Sequence, residues 1–377
     1  MSDFPNHHSH TEAKEAKRIY GVTMEKARHQ HWIDWLESAK EPDLWAANKY
    51  INGVPSDAGL TRIPSLRCID TNGQETLAET NEQKGIALSK AFFPPKGPPI
   101  VPDPDFLGFP DEAAPLPRIN QEQIKRRALS LSPYKAPGPN GILNIAISKS
   151  IDVILDHLYY IYTATLNLRS YYGPWKQWMT VVLHKPGKPH YDLAKAYHPI
   201  ALFNTLSKLL TSTITESITY LADKHDLLPP THFGGRPGRA TTDAMHYIVQ
   251  NVKHAWRNKK VVSALFLDIE GAFPHANTDR LIHDTRMRRF PTELAHFIES
   301  SMSNHSTVLK FDNYTSPPIP IDSSIGQGDP PSMPYYTIFN SGLIEVAIGP
   351  KERAIAFVDN VVFLAISSTF EETHAIL

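Results

Sequence analysis

The chain has 377 residues, 41% of them hydrophobic, and a formal net charge of −1. That length can bury a sizeable core and hold two or three domains, while the near-zero charge excludes a polycation but leaves room for a local basic groove. The single cysteine, Cys68, excludes a disulfide framework and a cysteine-rich zinc site; no run of ~18 apolar residues offers a membrane span, and no apolar signal core opens the chain.

His7, His8 and His10 cluster at the start. They read as a solvated tail, because no further metal ligands lie near them in sequence. From Thr11 to about Lys40 the pattern is charged and helical, with an i, i+3, i+4 stripe of Trp32, Trp35 and Leu36. Gly53 to Gly59 interrupts it. A further helix is expected near Thr80, where Thr80 and Gln83 have capping-box spacing. Residues 1–93 thus read as a helical N-terminal region. Residues 94–118 are dense in proline, which suits neither a helix nor a central strand, and read as a linker or a surface segment.

Residues 119–377 mix both periodicities. Helices are expected over Ile119–Leu131, Ile142–Tyr172, the stretch from Leu206 to Leu221, and the stretch from Ala244 to Trp256. "WMTVVLH" and Tyr197–Phe203 read as strands. "VVSALFLD", Val261 to Asp268, reads as a buried strand. Helices follow around Asp279–Arg289 and Thr292–Ser303, then a strand at Thr307–Asp312, a helix near Pro334–Val346, and the hairpin "AIAFVDNVVFLA". Ser368 and Glu371 are spaced to cap one more helix. The irregular order argues an α+β fold rather than a doubly wound sheet.

Two acids stand out. Asp268 ends an apolar strand, and Asp359 lies within an apolar hairpin. A charge in such surroundings is costly unless it is paired or binds a cation. Phosphoryl transfer with two metals needs carboxylates held together on rigid backbone, and strand ends ~5 Å apart supply that. Each acid also has a plain alternative. Asp268 could cap the following helix, and Asp359 with Asn360 could be ordinary turn residues.

Further stretches bear on that choice. "SPYKAPGPNGI", "VVLHKPGKPHYDLAKAYHPIALFNTLSKLL", "HFGGRPGRATTDAMH", "ALFLDIEGAFPHAN", "SIGQGDPPSMPYYTIFN" and "AFVDN" follow one another between Ile119 and Ala365. In content, order and spacing they resemble the reverse transcriptase of non-LTR (LINE-type) retrotransposons, most like fungal elements. The resemblance implies a right-hand polymerase: fingers from about Ile119 to Trp256, then a partial palm whose antiparallel sheet is backed by helices and carries Asp268 and Asp359 side by side. It implies that Asp268 and Asp359 bind two catalytic Mg²⁺ ions (Mn²⁺ being able to substitute), with the Ile269 carbonyl and Asn360 as further ligands. Phe273 would sit under the sugar and exclude a 2′-hydroxyl, or be a core residue, or both. Gln327 and Gly328 would lie beside the incoming nucleotide, or form a plain loop. Lys185 and Lys188 would contact phosphates, or be solvated turn lysines. The implied partners are an RNA template, a DNA primer and deoxynucleoside triphosphates. Residues from Trp32 to Pro94 resemble, through less specific motifs, the region that precedes the polymerase.

Three departures from the family pattern set further expectations. Asn360 stands where the family has a second aspartate, and it brings no negative charge. His198 stands where arginine is usual, and histidine does not replace an always-charged fork near neutral pH. The sequence stops soon after the hairpin, so truncation with loss of the thumb is expected. Impaired polymerisation follows from all three. The alternatives are a non-catalytic nucleic-acid-binding remnant of a retroelement and a helical interaction protein.

Overall fold

A computed structural model describes residues 8–38, 63–69, 74–97, 106–322 and 324–377, which divide into two units, residues 1–62 and 63–377. In the first, α1 (His8–Ser38) is one 31-residue helix. The Arg18 guanidinium pairs with Glu15 one turn earlier at 2.7 Å, a contact worth a few tenths of a kcal/mol. Trp32, Trp35 and Leu36 lie on α1 as expected, but their side chains are not described, nor are those of His8 and His10; His7 and the Gly53–Gly59 break lie outside the described residues.

The second unit opens with a short antiparallel pair, β1 (Leu66–Ile69) and β2 (Glu75–Ala78). Four-residue strands carry too little alternation to read from sequence. α2 (Asn81–Phe92) begins with the expected capping box. Gln83 N–H donates to Thr80 Oγ1 (3.3 Å), and Thr80 N–H donates to Gln83 Oε1 (3.1 Å). Leu88 and Phe92 of this helix join Leu66 in a buried cluster with Val182, Tyr197 and Leu309. Residues 63–93, grouped by sequence with the N-terminal helices, therefore share a core with the strands that follow. Residues 106–120 form neither helix nor strand. They are anchored where Leu116 and Ile119 enter the main core and where Ala113 N–H donates to Arg289 O at 2.9 Å.

That main core is helical. It gathers α3 (Gln121–Ser130), α4 (Asn144–Asn167), α5 (Thr205–Lys224), α7 (Thr278–Met287), α8 (Thr292–Met302) and α9 (Ser332–Ile344). The expected stripe on α5 is real: Leu209, Leu210, Ile214, Ile218 and Leu221 are all buried, each contributing ~1.5–3 kcal/mol. A mixed sheet flanks it, in the order β4 (Tyr197–Leu202), β3 (Gln177–His184), β6 (His305–Phe311), β7 (Tyr314–Thr315), with β8 (Ile319–Ile321) also on β6. β3 and β6 run parallel; the other pairs are antiparallel.

α6 (Thr241–Arg257) leads into a second, fully antiparallel sheet of order β5 (Val261–Asp268), β10 (Asn360–Ser367), β9 (Glu352–Phe357). α6 covers one face, Ala244 packing with Ile355 and Leu364. Ile344 of α9 covers the other, with Ala354, Ala356 and Val361. The fold is thus α+β. Two expectations change here. β5 is not a buried strand: among the described residues it pairs only with β10, and Leu265 (39%), Phe266 (68%) and Leu267 (38%) are exposed. An apolar run reads the same at a sheet edge as at its centre. The cap of α10 (Phe370–Ile376) is Thr369 rather than Ser368, with Glu372 N–H donating to Thr369 Oγ1 at 3.3 Å.

Candidate active site

Register brings the two acids to one end of the β5–β10–β9 sheet. Asn360 pairs with Asp268 across β10 and β5, and with Phe357 across β10 and β9. The hairpin loop is therefore Val358–Asp359, and Asn360 is the first residue of β10. Ile269 N–H donates to Asp359 O at 3.2 Å, tying the end of β5 to the loop. Asp268 is exposed and Asp359 half-buried. Asn360 Nδ2 donates to Asp359 Oδ1 at 3.1 Å, so the amide orients the carboxylate beside it.

The loop is strained and heavily supported. Val358 has φ +60°, a region a β-branched residue enters at a cost of ~1–3 kcal/mol. Its side chain is buried, and the buried Asn340 Nδ2 donates to its carbonyl at 3.0 Å. From behind, Thr231 to Gly234 run along β9. Phe233 N–H donates to Ala356 O (2.8 Å), and Ala356 N–H donates to Thr231 O (3.1 Å). A Cβ on Gly234 would stand 2.4 Å from Val358 N. The first glycine of "HFGGRPG" thus has a structural role, letting that segment close on the hairpin loop.

Phe273 stacks on Tyr336 with ring centroids 5.0 Å apart. Burial, with the Asp359 charge adding to it, pushes the Tyr336 hydroxyl up to about 12. Phe273 is half-buried and packs against Tyr336, whose hydroxyl feels the Asp359 charge. Gln327 and Gly328 lie on a loop stitched between the sheets. Ile325 N–H donates to Phe273 O (3.0 Å), and Ala201 N–H on β4 donates to Gln327 O (2.9 Å). Gly328, at φ +116°, approaches Ala201 so closely that a Cβ would meet its carbonyl oxygen at 2.7 Å.

Lys185, Lys188 and His198 sit apart from the acids, on the β3–β4 hairpin of the mixed sheet. His198 opposes Leu183 in register, and Lys185 N–H donates to Ala196 O at 2.8 Å. Burial, then the charges of Lys185 and Lys188, lower the His198 pKa. His198 is therefore neutral near pH 7 and supplies no fixed charge.

Sequence reasoning missed Tyr336, Asn340 and Asp329. Asp329, two residues from Gln327, accepts a hydrogen bond from Thr211 Oγ1 at 2.7 Å. Burial pushes its carboxyl up to about 7. An acid in a Gly- and Pro-rich loop gave no sign of its enclosure.

Similarity to known proteins agrees with this geometry. The family model described as reverse transcriptase (RNA-dependent DNA polymerase) matches residues 183–376. The chain is 25% identical over 304 residues to the RNA-directed DNA polymerase from mobile element jockey of Drosophila melanogaster, covering 80% of this chain and 32% of that protein. Its counterpart in Drosophila funebris is 24% identical over 346 residues, covering 90% and 37%. The probable RNA-directed DNA polymerase from transposon BS of Drosophila melanogaster is 27% identical over 229 residues, covering 61% and 25%. The chain thus spans 25–37% of the length of these relatives. It belongs to the reverse transcriptase (RNA-dependent DNA polymerase) family, as a domain of the non-LTR retrotransposon type.

Proposed function

We propose that this domain extends a DNA primer on an RNA template: the primer 3′-hydroxyl attacks the α-phosphate of a deoxynucleoside triphosphate, and pyrophosphate leaves. The observation that carries the reading is the register that sets Asn360 opposite Asp268 and ties Ile269 to Asp359. It holds two carboxylates at one sheet end. The motif spelling supports the finer reading that the element is of fungal type.

The family generally uses divalent metals. Mg²⁺ is commonly held by one or two carboxylates together with waters and substrate phosphates. Among the described residues no three His, Cys, Asp or Glu side chains converge, and a pair of carboxylates is the donor set that mode of binding requires. Asp268 and Asp359 would hold the ions, with the Ile269 carbonyl and the Asn360 amide oxygen available beside them. When bound, such ions stabilise the attacking and leaving oxygens. Asn360 contributes no charge, so two divalent ions are less well compensated than by three carboxylates. Slow, metal-demanding synthesis is the consequence.

The remaining residues orient the reactants. Phe273, fixed on Tyr336, walls the sugar position. The Gln327–Gly328 backbone, fixed on β4, lines the base. Lys185 and Lys188 attract phosphates with a salt-dependent strength. The RNA–DNA duplex is held through its backbone and shape rather than its sequence.

Asn360 and the neutral His198 favour one second reading, a nucleic-acid-binding domain without synthesis. Primer extension on an RNA template in Mg²⁺ and in Mn²⁺, with Asp268→Ala as control, separates the two. Extension lost in Asp268→Ala supports the polymerase. No extension, with salt-dependent duplex binding retained, supports the second reading.

A further inference from the structure

Beneath the Gln327–Gly328 loop lies a cavity with room for water of ≈ 30 Å³, lined among others by Trp178, His305, Asp329 and Tyr335. That space holds about two waters. Among the described residues, Trp178 Nε1, His305 Nε2 and the Tyr335 hydroxyl are each buried without a hydrogen-bond partner, and the three residues are 3%, 6% and 4% exposed. Buried polar atoms left unpaired cost ~1–3 kcal/mol each, so three on residues lining one small space point to a small hydrogen-bonding ligand there. The size admits water and nothing as large as a nucleobase.

Asp329 connects this space to the loop. Ser332 N–H donates to Asp329 O (3.1 Å), and Ser332 Oγ donates to Gly326 O (2.5 Å), closing the backbone from Gly326 to Ser332 into a tight turn. The Asp329 carboxyl reaches the opposite wall, where Thr211 of α5 donates to it at 2.7 Å. One side chain therefore spans from the loop to the helical core. Other titratable or charged groups face it: Lys208 of α5, with Lys135 acting on Lys208, and Tyr335 of α9. Tyr171, whose hydroxyl bonds to Ser207, faces it from beyond α4. His305 of β6 and Lys176, which donates to Ser303 Oγ at 3.2 Å, complete the lining.

We propose that this cavity is a hydrated chamber and that Asp329, bridging it, is a positioning residue for the loop that carries Gln327 and Gly328. The waters link Asp329 to the Tyr335 hydroxyl, the Trp178 indole N–H and His305 Nε2, none of which has a partner among the described residues. Asp329 holds the loop most firmly as the neutral acid, which can donate to a chamber water while it accepts from Thr211. Ionised, it must draw on Lys208 for compensation, and Lys208 is itself half-desolvated and weakened as a cation by burial. The loop's contribution to nucleotide binding rests on the polymerase reading; the chamber and the anchoring do not.

The sign of the pH effect follows. The folded protein retains a proton on Asp329 that the unfolded chain has released, since its carboxyl is raised from 3.8 to about 7. Stability from this group is complete below pH ~4 and is lost as pH rises through about 7. Asp329→Asn is neutral at every pH and keeps an acceptor for Thr211. The test compares melting temperatures of the whole chain and of this variant from pH 4.5 to 8, with hydrogen exchange of the amides of residues 326–329. The variant's melting temperature is expected to gain roughly 5 °C on the wild type across that range. Loop exchange in the wild type, relative to the variant, is expected to rise several-fold between pH 6 and 8. Should Asp329→Asn not fold, Thr211→Val serves: removing the donor to the carboxylate moves the midpoint of the stability change to higher pH. A pH-independent melting difference with equal loop exchange overturns the proposal, as does an unmoved midpoint in Thr211→Val. In primer extension, the wild-type KM for deoxynucleotide is expected to rise relative to the variant's between pH 6 and 8, where Asp329 ionises, more than its kcat falls. A wild type that extends no primer overturns the polymerase reading, while melting and exchange still decide the anchoring.

Discussion

Asn360 sits directly opposite Asp268 across the β10–β5 pair and donates from its amide to the Asp359 carboxylate at 3.1 Å. Asn360 thus fixes the placement of Asp359 while bringing no charge of its own. Asn360→Asp adds a carboxylate without changing shape. An added charge about 4 Å from a divalent ion is worth about 2–8 kcal/mol between the dielectric of water and that of a protein surface. We expect the Mg²⁺ concentration for half-maximal primer extension to fall about tenfold or more, titrated in parallel for both proteins. An unchanged or higher requirement would place residue 360 outside the proposed metal site.

Gly234 is fixed by distance rather than by chemistry. A methyl group there meets the Val358 nitrogen at 2.4 Å and its Cγ2 at 2.5 Å. Neither backbone can yield without opening the hairpin loop. Gly234→Ala is expected to cost about 1–3 kcal/mol and to lower any extension activity further than the stability loss explains, because Asp359 moves with Val358. Denaturant melts give the first quantity and initial rates the second. A variant as stable as the parent would show that Thr231–Gly234 does not press on the loop.

How much of this was legible depends on how local the cause is. α5 was readable because five apolar residues at helical spacing must bury together, and they do. The α2 capping box was readable because four residues contain it. The parallel pairing of β3 with β6 was not, since its partners are 129 residues apart, as in Gln177 with Ser306. The edge position of β5 was invisible for the same reason: only its spatial neighbours separate edge from centre. The hairpin fell between these limits. Its two strands were legible, but the loop is Val358–Asp359 rather than Asp359–Asn360, because buried packing of Val358 outweighs its backbone strain. Asp329 is the extreme case, an acid whose enclosure depends on α5 and α9 arriving from either side.

His232 carries a pH dependence of the opposite sign to that of Asp329. It is fully buried behind β9, and burial, with Arg236, Arg288 and Arg239 adding, pushes it down to about 4. The unfolded chain takes up a proton near the ordinary histidine value, 6.5, that the folded protein refuses until about 4. Stability from this group is therefore complete above pH ~6.5 and is lost as pH falls toward 4, by about 3 kcal/mol at most. His305, lowered in the same way, adds the same sign. His232→Leu should flatten the acid side of the stability profile relative to the parent. Parallel profiles from pH 4 to 7 would mean that His232 is charged in the fold.

Phe266 stands 68% exposed on β5, and β5 has one ladder partner among the described residues, β10. A free strand edge beside an exposed aromatic ring invites pairing with another chain. Its cross-strand neighbour Val362 is half-buried under α6, so the ring adds little to the fold it borders. Phe266→Lys places a charge on the edge, the device by which natural sheets avoid such pairing. The change in unfolding free energy should stay within ~0.5 kcal/mol, while light scattering at high protein concentration falls. Val361→Lys supplies the contrast: Val361, one residue from Val362, is fully buried against Ile344, and an unpaired charge there should unfold the sheet. If Phe266→Lys destabilises as Val361→Lys does, the ring is covered in solution and β5 is not a free edge.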